Sequence, residues 1–174
     1  MKQVKLYIPK VEDMWFRAEC MSDPETMSYN AGYDVTYAGY HYDTGCIDFD
    51  KGNWASWHKE KMSDPNFYYA YIVDCESNNF VGYVNYKLNP KTKKASMGIV
   101  INAKYRGNGY MRLAMAEFIA TAKQNGVKAL TDTVPDSRKG ALKVFFDLGF
   151  RVASEIQGIK FKKPDLVYEI ELGL

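Results

Sequence analysis

Residues 97–118 read MGIVINAKYRGNGYMRLAMAEF. It opens with apolar residues typical of a strand, passes through Arg106-Gly107-Asn108-Gly109, and continues with apolar residues at helical spacing. A helix start offers free backbone amides and a positive dipole end, and glycines let the backbone approach an anion closely. The stretch therefore predicts a phosphate cradle between a strand and a helix.

The same pattern has a plainer explanation, since a glycine-containing turn from strand to helix is often only a tight connection. A nucleoside triphosphate is a weak candidate ligand for this turn. No Gly-Lys-Ser/Thr follows the glycines, and two glycines do not complete a GxGxxG pattern.

Outward from this stretch, hydrophobic periodicity predicts a single domain over residues 1–174. Strands are expected at residues 4–8, 67–73, 80–88, 95–101, 127–134, 150–156 and 166–172, with helices at 11–22, 50–63, 107–124 and 141–148. This order predicts an α/β fold of the α+β type, with a mixed, mostly antiparallel sheet of about seven strands flanked by about four helices. The strand at 67–73 is apolar on both faces and is expected to be central.

Composition excludes several classes of function. The chain has 23 basic and 21 acidic side chains and a formal net charge of +2, so no nucleic-acid partner is expected. The cysteines are odd in number and widely spaced, and they form no metal-binding group with the two histidines, so no metal is expected. No apolar run suits a signal peptide or a membrane span, which predicts a cytoplasmic protein without a membrane partner.

The Arg106 to Gly109 segment resembles a motif of the GNAT superfamily of N-acetyltransferases. The motif has Arg or Gln, two residues, Gly, one residue, and then Gly or Ala; Arg106 and Gly109 match it. Downstream, ALKVFFDLGF at 141–150 is similar to a helix-plus-strand segment of the same superfamily, with Leu148-Gly149-Phe150 intact. The two matches lie in the expected order and cover about the C-terminal half of the chain.

The resemblance implies acetyl-CoA as co-substrate and a set of residues that hold it. Backbone groups of a strand splayed from its neighbour would bind the pantetheine arm, here Ile99, Val100 and Ile101. The loop amides would bind the pyrophosphate, here Arg106, Gly107, Asn108, Gly109, Tyr110 and Met111. Arg138 stands where many members have a cofactor-contacting asparagine, so it either reaches a phosphate or lies solvated.

Two positions depart from the pattern. Met111 replaces the usual Gly or Ala, although its backbone amide can still donate a hydrogen bond. Phe145 falls where many members carry a tyrosine that protonates the CoA thiolate, and phenylalanine has no proton to give. Ser137, Tyr105 or a water molecule is then the expected proton donor, unless the thiolate leaves unassisted.

Acetyl transfer to an amine also requires removal of a proton from the attacking nitrogen. Asp132 is the candidate base, because it is the lone acid in the strand ALTDTV and burial would raise its pKa to a useful range. The alternative is that Asp132 orders the following turn.

The segment from Cys20 to Asp50 indicates the acceptor. It holds six acids and no lysine or arginine, together with Tyr29, Tyr33, Tyr37, Tyr40 and Tyr42. Acids and aromatic faces attract cations, so we expect a cationic amine, such as a polyamine, an aminoglycoside-like compound or a peptide amino terminus. The expected lining residues are Tyr29, Asn30, Tyr33 and Asp34, although these side chains could also serve only to pack a long loop.

The sequence thus predicts an N-acetyltransferase that passes the acetyl group directly to a primary amine, because no cysteine with a matching histidine stands near the cofactor motif. The alternative is an acyl-CoA-binding module with lost or weak turnover, which Phe145 and Met111 favour. A homodimer is the expected assembly if the chain is not monomeric.

Overall fold

The computed structural model describes residues 2–174 as one seven-stranded sheet with helices on both faces. The strands are β1 (Val4–Tyr7), β2 (Phe67–Asp74), β3 (Phe80–Leu88), β4 (Lys94–Ile101), β5 (Ala129–Pro135), β6 (Arg151–Lys160) and β7 (Lys163–Gly173). The helices are α1 (Met14–Ser22), α2 (Pro24–Met27), α3 (Lys51–Met62), α4 (Tyr110–Gln124) and α5 (Lys139–Asp147). Single 3₁₀ turns cover Val11–Asp13, Ser28–Asn30 and Ala103–Tyr105.

The strand order across the sheet is β1-β2-β3-β4-β5-β7-β6. Every neighbouring pair is antiparallel except β4 and β5, which run parallel. The predicted mixed, mostly antiparallel sheet of seven strands is therefore confirmed. The strand predicted to be central, β2, lies instead second from the edge, because β1 pairs along its outer side.

Two hydrophobic cores fill the two faces of the sheet. Side chains of α4 pack with the sheet on one face, where Met115, Phe118 and Leu130 are fully buried. Side chains of α1 pack with Tyr69 and Tyr71 of β2 on the other face. Because alternate residues of β2 enter different cores, this strand is apolar on both sides, as its sequence indicated.

The fifth helix, α2, was not predicted. Ser22-Asp23-Pro24 does end α1, but Pro24 then occupies the first turn of a new helix, where its missing N–H costs nothing. The Asp23 carboxylate accepts hydrogen bonds from the amides of Glu25 and Thr26 and so caps this helix. The residues that ended one helix therefore start the next.

The sheet ends at β6, a ten-residue edge strand that pairs with β7 on one side. Its Val152, Ile156 and Ile159 side chains are 44%, 44% and 64% exposed. A long edge strand with exposed apolar side chains is a surface that proteins usually cover. No helix within residues 2–174 has the length and apolar character that a bilayer crossing requires.

Candidate active site

The central feature of the site is a gap between the two parallel strands. β4 and β5 pair only at Lys94–Ala129, Ala95–Leu130 and Ser96–Thr131. Beyond Ser96, β4 remains paired with β3 but no longer with β5, so the side of its backbone that faces β5 is free to bind a ligand. Ile99, Val100 and Ile101, the residues predicted to bind the pantetheine arm, all lie in this splayed half of β4.

The predicted phosphate cradle lies between the end of β4 and the start of α4. Gly107 and Gly109 have φ angles of +76° and +80°, a left-handed conformation that disfavours other residues. The Asn108 side-chain amide donates to the carbonyl of Arg106 at 2.9 Å, which fixes the loop. The amides of Gly107, Asn108 and Gly109 make no hydrogen bond within residues 2–174, and the positive end of α4 lies beside them. These donors suit a pyrophosphate.

The Arg106 side chain has a different task from the one expected of a phosphate ligand. Its guanidinium donates to the carbonyls of Ile101 at 3.2 Å, Glu25 at 2.9 Å and Thr26 at 2.7 Å. These bonds join the end of β4, the cradle loop and the C-terminal end of α2. The Arg106 side chain therefore holds the loop backbone in place, and its guanidinium is not free to bind an anion.

A second set of bonds supports the same junction. The Thr26 hydroxyl is fully buried; it donates to the Asp23 carboxylate and accepts from the Ala103 amide at 2.8 Å. Asp23 thus caps α2 and, through Thr26, positions the turn that leads into the cradle. Replacement of these side chains would disturb the cradle without any contact to its ligand.

At the start of α4, the two predicted cofactor residues offer only their backbone. The Tyr110 side chain is buried and donates its hydroxyl to Asp74 at 3.2 Å, while the Met111 side chain packs against the α4 core. Met111, which replaces a smaller family residue, therefore turns its bulk inward and leaves the cradle open.

Asp132 lies at the point where β5 separates from β4. It follows Thr131, the last paired residue, and its register partner Ile170 is buried in the α4 core, so both side chains share that face. Burial raises the pKa of Asp132 to about 7, against smaller opposing effects of the Thr133 amide, 2.7 Å away, and Arg138. A carboxyl group with this pKa can exchange a proton near neutral pH.

Arg138 is not the solvated side chain that one interpretation expected. It is half-buried, and its guanidinium lies 5.1 Å from the ring centroid of Tyr29. Burial lowers the pKa of Arg138, and the neighbouring Arg106 charge lowers it further. The structure thus brings Tyr29 together with Arg138 and Asp132, which lie about 100 residues downstream in the sequence.

Residue 145, where many family members carry a tyrosine as proton donor, is not a proton donor in this chain. Phe145 is 2% exposed and packs edge-on against Phe150, so it is a core residue. Ser137, the predicted donor, is exposed in the turn before α5. Tyr105 is half-buried and contacts the Tyr110 ring edge-on. Both remain predictions as proton donors.

The acceptor loop, residues 28–50, is held mainly by its own polar groups and by the β6–β7 hairpin. The Asn30 side chain donates to the Gly45 carbonyl at 2.9 Å, and the Tyr33 hydroxyl donates to Asp165 of β7 at 2.5 Å. The Phe161 amide donates to Gly32, and the Phe161 ring lies so close that a Cβ on Gly32 would be 2.8 Å from it. Of the predicted lining residues, Asn30 and Tyr33 are thus engaged within the protein.

The remaining two lining residues differ in setting. Asp34 is exposed on the loop. Tyr29 packs against the α1 core, and burial raises the pKa of its hydroxyl, on which the charges of Arg138, Arg17 and Asp132 also act. Tyr29 is therefore the predicted lining residue that lies nearest to the candidate chemistry.

Sequence reasoning did not identify Arg17. This residue of α1 places its guanidinium among four aromatic rings, 4.3 Å from the Trp57 centroid and 5.1 Å from that of Phe49. A signal was present, because Arg17 is the only lysine or arginine between Lys10 and Lys51. A single basic residue in an otherwise acidic segment is a candidate for a specific structural or binding role.

Sequence reasoning predicted no cysteine with a matching histidine near the cofactor motif, and the structure brings Cys20 to 3.7 Å from the Asn102 side chain at the end of β4. Burial raises the pKa of the Cys20 thiol to about 12, so it stays protonated and is a poor nucleophile. Within residues 2–174 no cluster of three or more His, Cys, Asp or Glu side chains is arranged to hold a metal ion.

Comparison with known proteins identifies this architecture. The family model described as the acetyltransferase (GNAT) family matches residues 33–150. A search of curated proteins gave no match.

Solved structures share the fold at low identity. A spermidine N-acetyltransferase from Vibrio cholerae, in complex with CoA and spermine, has a TM-score of 0.81 and 14% identity, over 98% of this chain and 95% of that one. An N-acetyltransferase from Staphylococcus aureus has a TM-score of 0.72 and 18% identity, over 99% and 98%. The acetyltransferase yncA from Salmonella typhimurium, with its cofactor acetyl-CoA, has a TM-score of 0.73 and 16% identity, over 100% and 94%.

Proposed function

The chain belongs to the acetyltransferase (GNAT) family and is an N-acetyltransferase; we propose that it transfers the acetyl group of acetyl-CoA directly to a primary amine. The observation that carries this proposal is the splay of β4 from β5, which ends at a cradle of free amides. Two related structures hold acetyl-CoA or CoA, which supports this cofactor.

The backbone of the loop and of β4 would bind the cofactor. Amides of the 106–111 loop hold the pyrophosphate, and backbone groups of Ile99–Ile101 hold the pantetheine arm. An amide near Val100 or Ile101 polarises the thioester carbonyl, as in an oxyanion hole. Because the cradle uses backbone donors, side-chain differences such as Met111 do not abolish it.

The transfer would proceed through a tetrahedral intermediate. The amine nitrogen attacks the thioester carbonyl carbon, the C–S bond breaks, and CoA leaves as a thiolate that takes a proton. Asp132 removes the proton from the amine, and its pKa of about 7 suits both acceptance and release of that proton near neutral pH. Since Asp132 lies on the α4 face of the gap, its carboxyl group is also a candidate to return the proton to sulfur.

The acceptor in this proposal is a small cationic molecule or a peptide amino terminus. Exposed acids of the acceptor loop, such as Asp34, would attract a protonated amine to this part of the surface. One related structure contains spermine, which supports a small amine as the acceptor class.

Thiol release from acetyl-CoA tests the proposal, with a panel of polyamines, aminoglycosides, amino acids and short peptides. We expect turnover on at least one amine and a loss of about 10²-fold or more in kcat/KM for Asp132→Asn. Glu117→Gln, an exposed change on α4, is the control and should retain full activity. If CoA binds by calorimetry but no amine releases thiol, the chain is instead an acyl-CoA-binding module.

A further inference from the structure

The side chain of Arg17 is enclosed by aromatic rings from distant parts of the chain. Its guanidinium carbon lies within 4.3–5.6 Å of four ring centroids, those of Trp57, Phe49, Tyr69 and Tyr83. Rings of this kind form the cage that proteins use to bind a foreign cation. Here the cage is already filled by the protein's own cation, so it is not a site for a cationic substrate.

Among residues 2–174 the enclosed charge has no counter-ion. Arg17 Nη1 donates to the Tyr69 hydroxyl at 3.2 Å, but Nε is buried without a hydrogen-bond partner. None of the ion pairs within residues 2–174 includes Arg17. A buried charge without an opposite charge is costly, and an arginine fork with a free edge is the usual means of binding a carboxylate.

The acids nearest in sequence are already engaged elsewhere. Asp13 accepts hydrogen bonds from the Tyr7 hydroxyl and the Lys10 amide. Glu19 accepts from Asn102 and Lys104 at the end of β4. The carboxylates just before α1 and within it thus bind other groups and leave Arg17 unpaired, which indicates that the counter-ion comes from outside.

Arg17 lies on the acceptor side of the transfer site. Tyr83, one wall of its cage, pairs with Val100 in the splayed half of β4. Tyr29 connects the cage to the gap, because its hydroxyl experiences the charges of both Arg17 and Arg138, and Arg138 lies over its ring. Arg17 is only partly exposed, so a ligand that reaches it must enter the site.

We propose that Arg17 binds the carboxylate of the acceptor, and that the acceptor is an amino acid-type molecule with an amine and a carboxylate. This inference rests on the proposed acetyl transfer to a primary amine, and it replaces the cationic acceptor by one that also carries a carboxylate. The exposed acids of the loop attract the ammonium group, and the Arg17 guanidinium pairs with the carboxylate while the amine reaches the thioester. A polyamine has no group for Arg17, and both Arg17 and Arg138 repel its additional charges.

Matched substrates test the inference on the wild-type protein. Thiol release is measured with amino acids, with the corresponding amides and methyl esters, and with spermidine. We expect kcat/KM for the free acid to exceed that for its amide by about 30-fold or more, because loss of one partner leaves a buried charge unpaired. Equal or faster turnover of the amides or of spermidine would overturn the inference.

Variants then assign the selectivity to Arg17. In Arg17→Met the ratio of acid to amide should fall to about one, while Arg17→Lys should retain part of it. CoA affinity should be unchanged in both, and Arg151→Met on exposed β6 should keep the wild-type ratio. A wild-type ratio in folded Arg17→Met would refute the assignment. If Arg17→Met does not fold, the assignment is tested by the acid-to-amide ratio of the wild-type protein and by the decrease of that ratio in Arg17→Lys.

Two further measurements separate this inference from the proposed function. Calorimetry on CoA-loaded protein detects amino acid binding without turnover; if binding occurs and is weakened in Arg17→Lys, the inference stands although acetyl transfer fails. If succinyl-CoA is preferred over acetyl-CoA and this preference is weakened in Arg17→Lys, the carboxylate belongs to the acyl donor and the inference is wrong.

Discussion

Replacement of Asp132 by Asn should stabilise the protein, and the gain should grow with pH. Burial raises the pKa of Asp132 from 3.8 to about 7, so the folded state keeps a proton that the unfolded state has lost. Below about pH 4 both states are protonated and the carboxyl group has no cost. As pH rises from about 4 to 7 the cost increases, and above 7 it is constant.

The size of the effect follows from the two pKa values. The difference between 3.8 and about 7 corresponds to about 4 kcal/mol of lost stability above pH 8, and to about 1.5 kcal/mol near pH 5. Asn has the same shape, can still accept from the Thr133 amide, and carries no charge. Asp132→Asn should therefore gain about 2.5 kcal/mol more in the free energy of unfolding near pH 8.5 than near pH 5.

Urea unfolding followed by tryptophan fluorescence measures this difference in the absence of CoA. Asp136→Asn is a control with the opposite sign, because Lys139 lowers the pKa of Asp136. Its ionised form stabilises the fold above the unfolded pKa, and that contribution is lost as pH falls. Because pH 5 and pH 8.5 both lie above the unfolded pKa, Asp136→Asn should lose about the same stability at both pH values. An Asp132→Asn gain that is absent, or equal at both pH values, would refute the buried-carboxyl interpretation.

Three further predictions concern the cradle and the sheet edge. Gly109→Ala should lose about 1 kcal/mol of stability and also bind CoA more weakly by calorimetry, whereas Gly126→Ala, with similar φ at the other end of α4, should lose only stability. Arg106→Ala should lower the free energy of unfolding in urea by about 2–4 kcal/mol, because three backbone carbonyls lose their donor; a loss below 0.5 kcal/mol would contradict this. If the chain is a homodimer through β6, Ile156→Asp should yield monomers in light scattering, and a monomeric wild type would exclude that dimer.

Local sequence patterns were sufficient for most of the fold. β3 has the predicted bounds of 80–88, and α3 differs from its prediction by one residue at each end. The hydrophobic period along each element encodes these features, so no knowledge of distant partners is needed. The position of β2 was missed because pairing with β1 joins residues about 70 positions apart, which no local pattern records.

From the sequence, the candidate site could be predicted where it uses the backbone. The glycines of the cradle, which the structure shows to be left-handed, were predicted for their close approach to an anion. The side-chain partners of Arg106 and Tyr33 were not, since they lie about 80 and 130 residues away in the sequence. Arg17 was overlooked because its meaning depends on four rings that only the folded sheet assembles.

The contact between the acceptor loop and the β6–β7 hairpin has a consequence for engineering and for divergence. Phe161 covers Gly32, and Tyr33 is bonded to Asp165, so the loop takes its shape from a hairpin more than 120 residues downstream. A graft of residues 28–50 alone onto another acetyltransferase would leave this support behind. Acceptor preference in this protein is therefore expected to be transferable only as a two-part cassette, in which loop and hairpin are exchanged together.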